Sequence, residues 1–397
     1  MNKAAQEYDV IVIGRGLMGS AAARHLARAG LSIALIGPDE PADKSIHSGV
    51  FSSHYDEGRI TRSLDGDDDW SLLSSRSIDR YHDIEQQSGI EFFSETGAMI
   101  AGREKGTESA YIAQVQSVQQ RLGINATHHR GADLAKRFPY FRFEDGTVAL
   151  HESVNAGHIS PRRLVEAQTV AAQKSGATVI QEIVRKTSEN SSGIIVQTDA
   201  GNTYAADKAL LAAGYNSRLP SLADNPPLLD VYARTIAFFE VGQQEVTRLE
   251  GMPSLIFEPR DRSCDPYLLP PIRYPDGKTY IKIGGDPEDI PLKSEDEICN
   301  WFRSDGSPSV RDHLERVLFD LMPDLAVQSI KSGSCVTSYT ATGKAIIQPL
   351  SDRLTVLTGG NGKGAKCSDE LGRLAGLLLT GKELSAEPYQ TDFKHTT

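Results

Sequence analysis

Three glycines at positions 14, 16 and 19 follow directly on the apolar run Val10-Ile11-Val12-Ile13. A Gly-x-Gly-x-x-Gly turn leaving a strand is chemistry for holding a pyrophosphate. Gly14 permits the tight turn, Gly16 lets backbone approach the phosphates, and Gly19 lets the next helix pack close to the sheet. The phosphates then lie over unpaired N–H groups at the positive end of that helix. The context the motif requires is present, because an amphipathic stretch over 21–29, closed by Gly30, follows it. Two other sets of reactive side chains carry less. Cys264, Cys299, Cys335 and Cys367 form no CxxC pair and have no histidine at zinc-ligand spacing. The run Asp65-Gly66-Asp67-Asp68-Asp69 precedes a helical pattern over 70–87. It reads as solvated carboxylates at a helix N-terminus rather than as a metal site.

The elements that must position these groups follow in order. A second strand is expected over 31–36. Its end usually supplies an acidic residue for ribose hydroxyls, but Gly37 stands there, followed by Pro38-Asp39-Glu40. Asp39, Glu40 or backbone must then serve. Ser160-Pro161 opens a helix with a capping serine and proline at the first helical position. Strand-like runs follow at 177–180 and 193–198, then an apolar strand, 208–214, ending on small residues where backbone passes a bound cofactor. Two segments of different texture, 89–147 and 233–330, carry short β-prone runs at 97–101, 234–241, 255–257 and 279–283. Helices are expected beside them at 108–122 and 310–321. A last strand at 354–358 leads through Gly359-Gly360-Asn361-Gly362-Lys363-Gly364 into a helix over 365–379.

The fold class is therefore α/β. A Rossmann-like nucleotide-binding domain is built from 1–88, 148–232 and 331–397. A discontinuous antiparallel-sheet substrate domain, itself α+β, comes from 89–147 and 233–330. A chain of 397 residues is long enough for both. The net charge of −11 and the absence of Lys/Arg runs exclude a nucleic-acid surface. With 39% hydrophobic and 24% charged residues, no apolar run reaches membrane-spanning length. The first strand begins too early to leave room for a signal peptide, so a cytoplasmic location with free thiols is expected.

In order along nearly the whole chain, five stretches add to the glycine motif. They are Ser53-His54-Tyr55-Asp56-Glu57-Gly58-Arg59-Ile60-Thr61-Arg62, Leu211-Ala212-Ala213-Gly214, Tyr280-Ile281-Lys282-Ile283-Gly284, Cys335, and 360–366. Together they resemble the D-amino-acid-oxidase-like flavoprotein family, in its branch of monomeric sarcosine oxidase and N-methyltryptophan oxidase. The Ser-His…Arg-x-x-Arg and Gly-x-Gly-x-Lys pair fits few other families.

The resemblance implies FAD as cofactor. It would be held by Gly14, Gly16, Leu17, Met18, Gly19, Ser53, His54, Arg59, Ile60, Val184, Ala213, Gly214, Gly360, Gly362, Lys363, Gly364 and Lys366. Cys335 falls where this branch attaches FAD covalently through sulfur. Arg62 and Lys366 match the pair that grips the substrate carboxylate, a planar fork and a point charge. Arg59 resembles the arginine lying against the isoalloxazine, favouring the anionic reduced flavin; its other reading is an ion pair with Asp56 or Glu57. Lys282 matches the lysine placed near flavin N5 to help oxygen react, where the bland alternative is the polar face of a strand. The implied function is oxidation of a secondary (N-methyl or N-carboxymethyl) amino acid. Hydride goes to flavin N5, the imine hydrolyses, and oxygen becomes hydrogen peroxide. A monomer is implied, with an amino acid and O2 as its only partners and no metal.

Departures bear on the substrate. Tyr55, grouped with the catalytic residues, replaces the second histidine of the family's His-His. Asp286 replaces a histidine past the lysine, Lys363 one inside Gly-x-Gly, and Thr337 an aromatic residue. Lys363 beside Lys366 points to a substrate with a second carboxylate. The rivals are an amino-acid dehydrogenase of the same fold feeding a quinone or carrier, a non-catalytic flavin-bound subunit, and a nicotinamide enzyme, which Gly37 disfavours.

Overall fold

In the computed structural model, which describes residues 7–103, 111–259 and 265–394, the chain forms two eight-stranded sheets and one small three-stranded sheet. The first sheet is centred on Glu7–Ile13, which pairs in parallel with Ile33–Ile36 on one side and Thr203–Leu211 on the other. Thr178–Ile180 extends it beyond Ile33–Ile36, and Leu354–Thr358 joins Thr203–Leu211 in parallel. Val10, Val12, Leu35 and Leu210 bury one face of these strands under Leu26, Leu371 and Leu374. Ile11, Ile13, Ile36 and Leu211 bury the other. That two-sided burial is why the strands read as continuous apolar runs rather than alternating ones.

The second sheet runs, in spatial order, Val327–Tyr339, Asp230–Val241, Thr279–Gly284, Tyr267–Arg273, Ser254–Phe257, Ala98–Arg103, Thr147–Glu152 and Thr127–Arg130. It is antiparallel except where Ser254–Phe257 lies parallel to Ala98–Arg103. Its core joins Met99, Leu255, Phe239 and Ile281 to Leu314 and Leu318 of the helix Pro308–Leu321. Three of its strands cross the segment boundaries expected from sequence, since Thr147–Glu152, Asp230–Val241 and Val327–Tyr339 all pair here. The third sheet pairs Arg59–Thr61 and Phe93–Ser94 with Gly157–Ile159 between them.

Two local expectations are corrected, and a third falls partly outside the described residues. The helical pattern over 70–87 is two helices, Asp68–Ile78 and Tyr81–Ser88, parted at Asp79-Arg80. There the Arg80 guanidinium reaches the buried carboxylates of Asp369 and Glu370. The aspartate run is not uniformly solvated. Asp67 caps its helix through Trp70 N, and Lys344 bridges Asp67 and Asp69, but Asp65 is fully buried elsewhere. The helix expected from 108 is described from Tyr111 to Leu122; Glu108, like Cys264, lies outside the described residues. The helices Gly131–Arg137, Gln243–Arg248 and Glu295–Arg303 are additional to those expected, although Ser294 and Glu297 form a full capping box for the last. No described helix is long and apolar enough to cross a membrane.

Candidate active site

A cavity of about 700 Å³ runs from the first sheet's strand ends to the face of the second sheet. Its first part is walled by Ile13, Gly14, Arg15, Gly16, Leu17 and Met18. Gly14 has φ of 109°, in the left-handed region, and a side chain on Gly19 would meet its carbonyl oxygen at 1.9 Å. The helix Leu17–Arg28 starts on Gly16 with no side-chain cap and no acidic residue in its first turn. Its N-terminal N–H groups thus remain for an anion. This cradle, open to backbone and free of carboxylates, fits the pyrophosphate of a dinucleotide.

The departure at Gly37 has a steric cause. A Cβ there would lie 2.5 Å from the Arg15 backbone nitrogen, and Arg15 Nε donates to the Gly37 carbonyl oxygen at 3.2 Å. Asp39 and Glu40, the two substitutes for a ribose ligand, are both held in ion pairs, with Arg15 and Arg162 respectively. Gly37 and Pro38 line the cavity, as do Val184, Ala213, Gly214, Ser53, His54 and Ile60. Burial first, then Arg15, Arg162 and Arg59, push the His54 pKa down to about 3, so its ring is neutral.

Cys335 lies on the wall too, with Arg59 Nη2 at 3.6 Å from its sulfur. Arg59 makes the ion pair of its second reading, with Asp56, from a position on the cavity wall. Its Nη2 also donates to the Ser53 carbonyl oxygen at 3.1 Å.

At the far end the glycine-rich turn Gly359–Gly364 brings Lys363 and Lys366 to the cavity, the latter on the helix Gly364–Leu379. Asn361 pins this turn, accepting from Thr340 N at 3.0 Å and donating to the Gly359 carbonyl oxygen at 2.6 Å. Asp65 then draws three cations together, at 2.7 Å from Lys363 Nζ, 3.0 Å from Lys366 Nζ and 3.8 Å from Arg62. Burial alone would raise the Asp65 pKa, but Lys366, Lys363 and Arg62 hold it well below the usual carboxylate range. Three cations face two buried carboxylates, Asp65 and the backbone-bonded Glu152, which leaves an excess of positive charge in a buried place. Arg62 is 6% exposed, with Tyr111 Oη at 3.4 Å, and its Nε has no hydrogen-bond partner. An orphaned guanidinium N–H beside excess cationic charge is a docking point for an anion.

Not every expected residue reaches the cavity. Lys282 is fully buried behind its wall, donating to Asp56 Oδ2 at 2.5 Å and to the Gly58 carbonyl oxygen at 2.7 Å. Tyr55 packs with Phe51 and Val336, its hydroxyl 3.5 Å from the Asp39 carbonyl oxygen, and is absent from the lining. Lys363 is no free extra cation, since Asp65 holds it and it sits 5.8 Å over the Trp70 ring. Asp65, Tyr111 and Tyr267 are the residues that sequence reasoning missed, and Asp56 entered it only as an ion-pair partner of Arg59. Asp65, three residues past Arg62, had the spacing of a local ion pair.

A family model described as FAD dependent oxidoreductase (DAO) matches residues 9–377. The chain belongs to that family. Its relatives include a monomeric sarcosine oxidase of Bacillus sp. (strain B-0618), 26% identical over 381 residues, covering 94% of this chain and 93% of that protein. An N-methyl-L-tryptophan oxidase of Yersinia pestis (strain Pestoides F) is 23% identical, covering 95% and 96%. Among solved structures, NikD, titled an unusual amino acid oxidase essential for nikkomycin biosynthesis, superposes with a TM-score of 0.74 at 19% identity, covering 99% of this chain and 98% of NikD. Membership makes this protein an FAD-dependent oxidoreductase, and the cavity described above has the cradle for that cofactor.

Proposed function

We propose that this chain is an FAD-dependent oxidase of a secondary amino acid. The observation that carries the reading is the buried Arg62 Nε without a partner, next to Lys366 and Asp65 at the cavity's end. A substrate carboxylate supplies the missing acceptor and balances the surplus charge. When bound, FAD would supply the redox chemistry, acceptance of hydride from the carbon beside nitrogen and passage of the electrons to oxygen. Arg62 and Lys366 hold the substrate so that this carbon faces the cofactor, turning an encounter into an oriented step. Arg59, on the cavity wall, presents fixed positive charge to the cofactor. Lys282, behind the wall, acts through its field rather than by contact. An N-methyl substrate is favoured over an N-carboxymethyl one, because Asp65 already engages Lys363.

The test is a panel of N-methyl, N-carboxymethyl and primary amino acids. One or more N-alkylated members should bleach the flavin anaerobically and release peroxide in air. Bleaching by none of them, or only by amines lacking a carboxylate, removes the assignment. A second reading, a dehydrogenase passing electrons to a quinone or carrier, draws on the Asp56 carboxylate that offsets the Lys282 charge. Fast turnover with a quinone dye and slow turnover with oxygen would select it.

Covalent attachment of FAD at Cys335 is part of the same proposal. Its sulfur is on the cavity wall, 3.6 Å from the Arg59 guanidinium. Acid precipitation should leave most flavin in the pellet, and Cys335→Ala should release it to the supernatant. Complete release from the unmodified protein would show Cys335 to be an ordinary thiol.

A further inference from the structure

Between Arg59 and Lys282 lies a carboxylate that the proposed reaction does not use. Asp56 is 5% exposed and carries an unusually full set of partners. Oδ2 accepts from Lys282 Nζ, while Oδ1 accepts from Tyr274 Oη at 3.0 Å and from Glu57 N at 2.8 Å. The Arg59 guanidinium completes the cluster. Lys282 is 0% exposed in the strand Thr279–Gly284, whose neighbours present Phe238 and Leu269 beside it. The charged or titratable groups facing it are few. They are Asp56, Arg59, the Tyr267 ring 5.8 Å away, Tyr274 through Asp56, and Cys335. Of these only Asp56 brings a full negative charge.

We propose that Asp56 is the counter-ion that keeps the buried Lys282 side chain charged and fixes it beside Arg59. The inference rests on the oxidase reading above, in which Lys282 contributes charge. A fully buried ammonium is costly unless paired, and a lysine left alone there discards its proton instead. Burial first, then the Arg59 guanidinium, act against the charged form of Lys282. The carboxylate at 2.5 Å opposes both. Tyr267 is no substitute, because burial raises its pKa to about 12 and keeps it neutral. Asp56 is thus a positioning residue, acting on oxygen chemistry through Lys282.

Asp56→Asn tests this with near-identical shape. Its Oδ1 still accepts from the backbone, and its Nδ2 donates to a neutral amine. In Asp56→Asn holoenzyme, reoxidation by oxygen should be about 10- to 100-fold slower than wild type at alkaline pH and recover on acidification, as Lys282 regains its proton. Flavin reduction by substrate should change little. A second readout needs no turnover. A lysine whose native pKa is depressed binds fewer protons folded than unfolded, so stability rises with pH up to its ordinary value. The thermal midpoint of Asp56→Asn should therefore climb with pH relative to Asp56→Asn/Lys282→Met. Parallel midpoint curves would overturn the proposal. So would a wild-type oxygen rate that already falls as pH rises through neutrality, a measurement that stands even if the variant does not fold. If Lys282→Met reoxidises normally, the oxidase role of Lys282 fails, while the midpoint curves still judge Asp56. If Lys282→Met is slow but Asp56→Asn is normal at every pH, the counter-ion role alone fails.

Discussion

Arg62→Ala should keep its flavin and lose most of its specificity constant for amino acids. The guanidinium is buried and its Nε has no internal acceptor; among the described cavity-lining residues only the Thr337 hydroxyl shares that lack of a partner. Removing a charge-assisted contact to a carboxylate costs about 2–4 kcal/mol, or roughly 30- to 1,000-fold in kcat/KM. The fold should tolerate the change. Asp65 retains Lys363 at 2.7 Å and Lys366 at 3.0 Å, so no buried carboxylate is stranded. Glu152, the next acid, stays bonded to the backbone nitrogens of Ser63 and Leu64. Steady-state kinetics beside the flavin-to-protein ratio makes the measurement. A variant that handles amino acids like wild type would place the carboxylate elsewhere and remove the proposed substrate class.

What the sequence makes legible divides by range along the chain. The glycine motif, its strand and its helix can be read because each needs only neighbours within one turn, and the strand Glu7–Ile13 and helix Leu17–Arg28 lie there. The cap at Ser160 is legible for the same reason, its Oγ accepting from Arg163 N at 3.2 Å. The acidic residues are not. Asp65 and Asp67 stand two residues apart, yet one is fully buried among Lys363 and Lys366 and the other caps a helix. No local pattern separates them, because the lysines that bury Asp65 come from 298 and 301 positions away. Asp56 is hidden likewise, since Lys282 is 226 residues distant. Lys282 stands out by resemblance, but its counter-ion and its place behind the wall depend on the packing of a loop against the second sheet.

Lys282→Met should separate the two halves of the catalytic cycle. Methionine keeps much of the length and removes the charge. The site should accept it, because Asp56 keeps Arg59, Tyr274 and the Glu57 nitrogen as partners. In the proposed reaction, substrate oxidation depends on the carboxylate grip at Arg62 and Lys366 and should be little affected. Reduction of oxygen builds negative charge on a small molecule, and a fixed cation nearby lowers that barrier. Loss of one preorganised electrostatic partner costs on the order of 100-fold or more, so stopped-flow reoxidation should slow by about that factor. Equal slowing of both halves would make Lys282 a support for the Arg59 loop, which it reaches through the Gly58 carbonyl oxygen at 2.7 Å. No change in either half would leave it as a structural partner of Asp56. An unmodified enzyme that is slow with oxygen but fast with a quinone dye would decide for the dehydrogenase, and the Asp56–Lys282 pair would then be the device that withholds charge from oxygen.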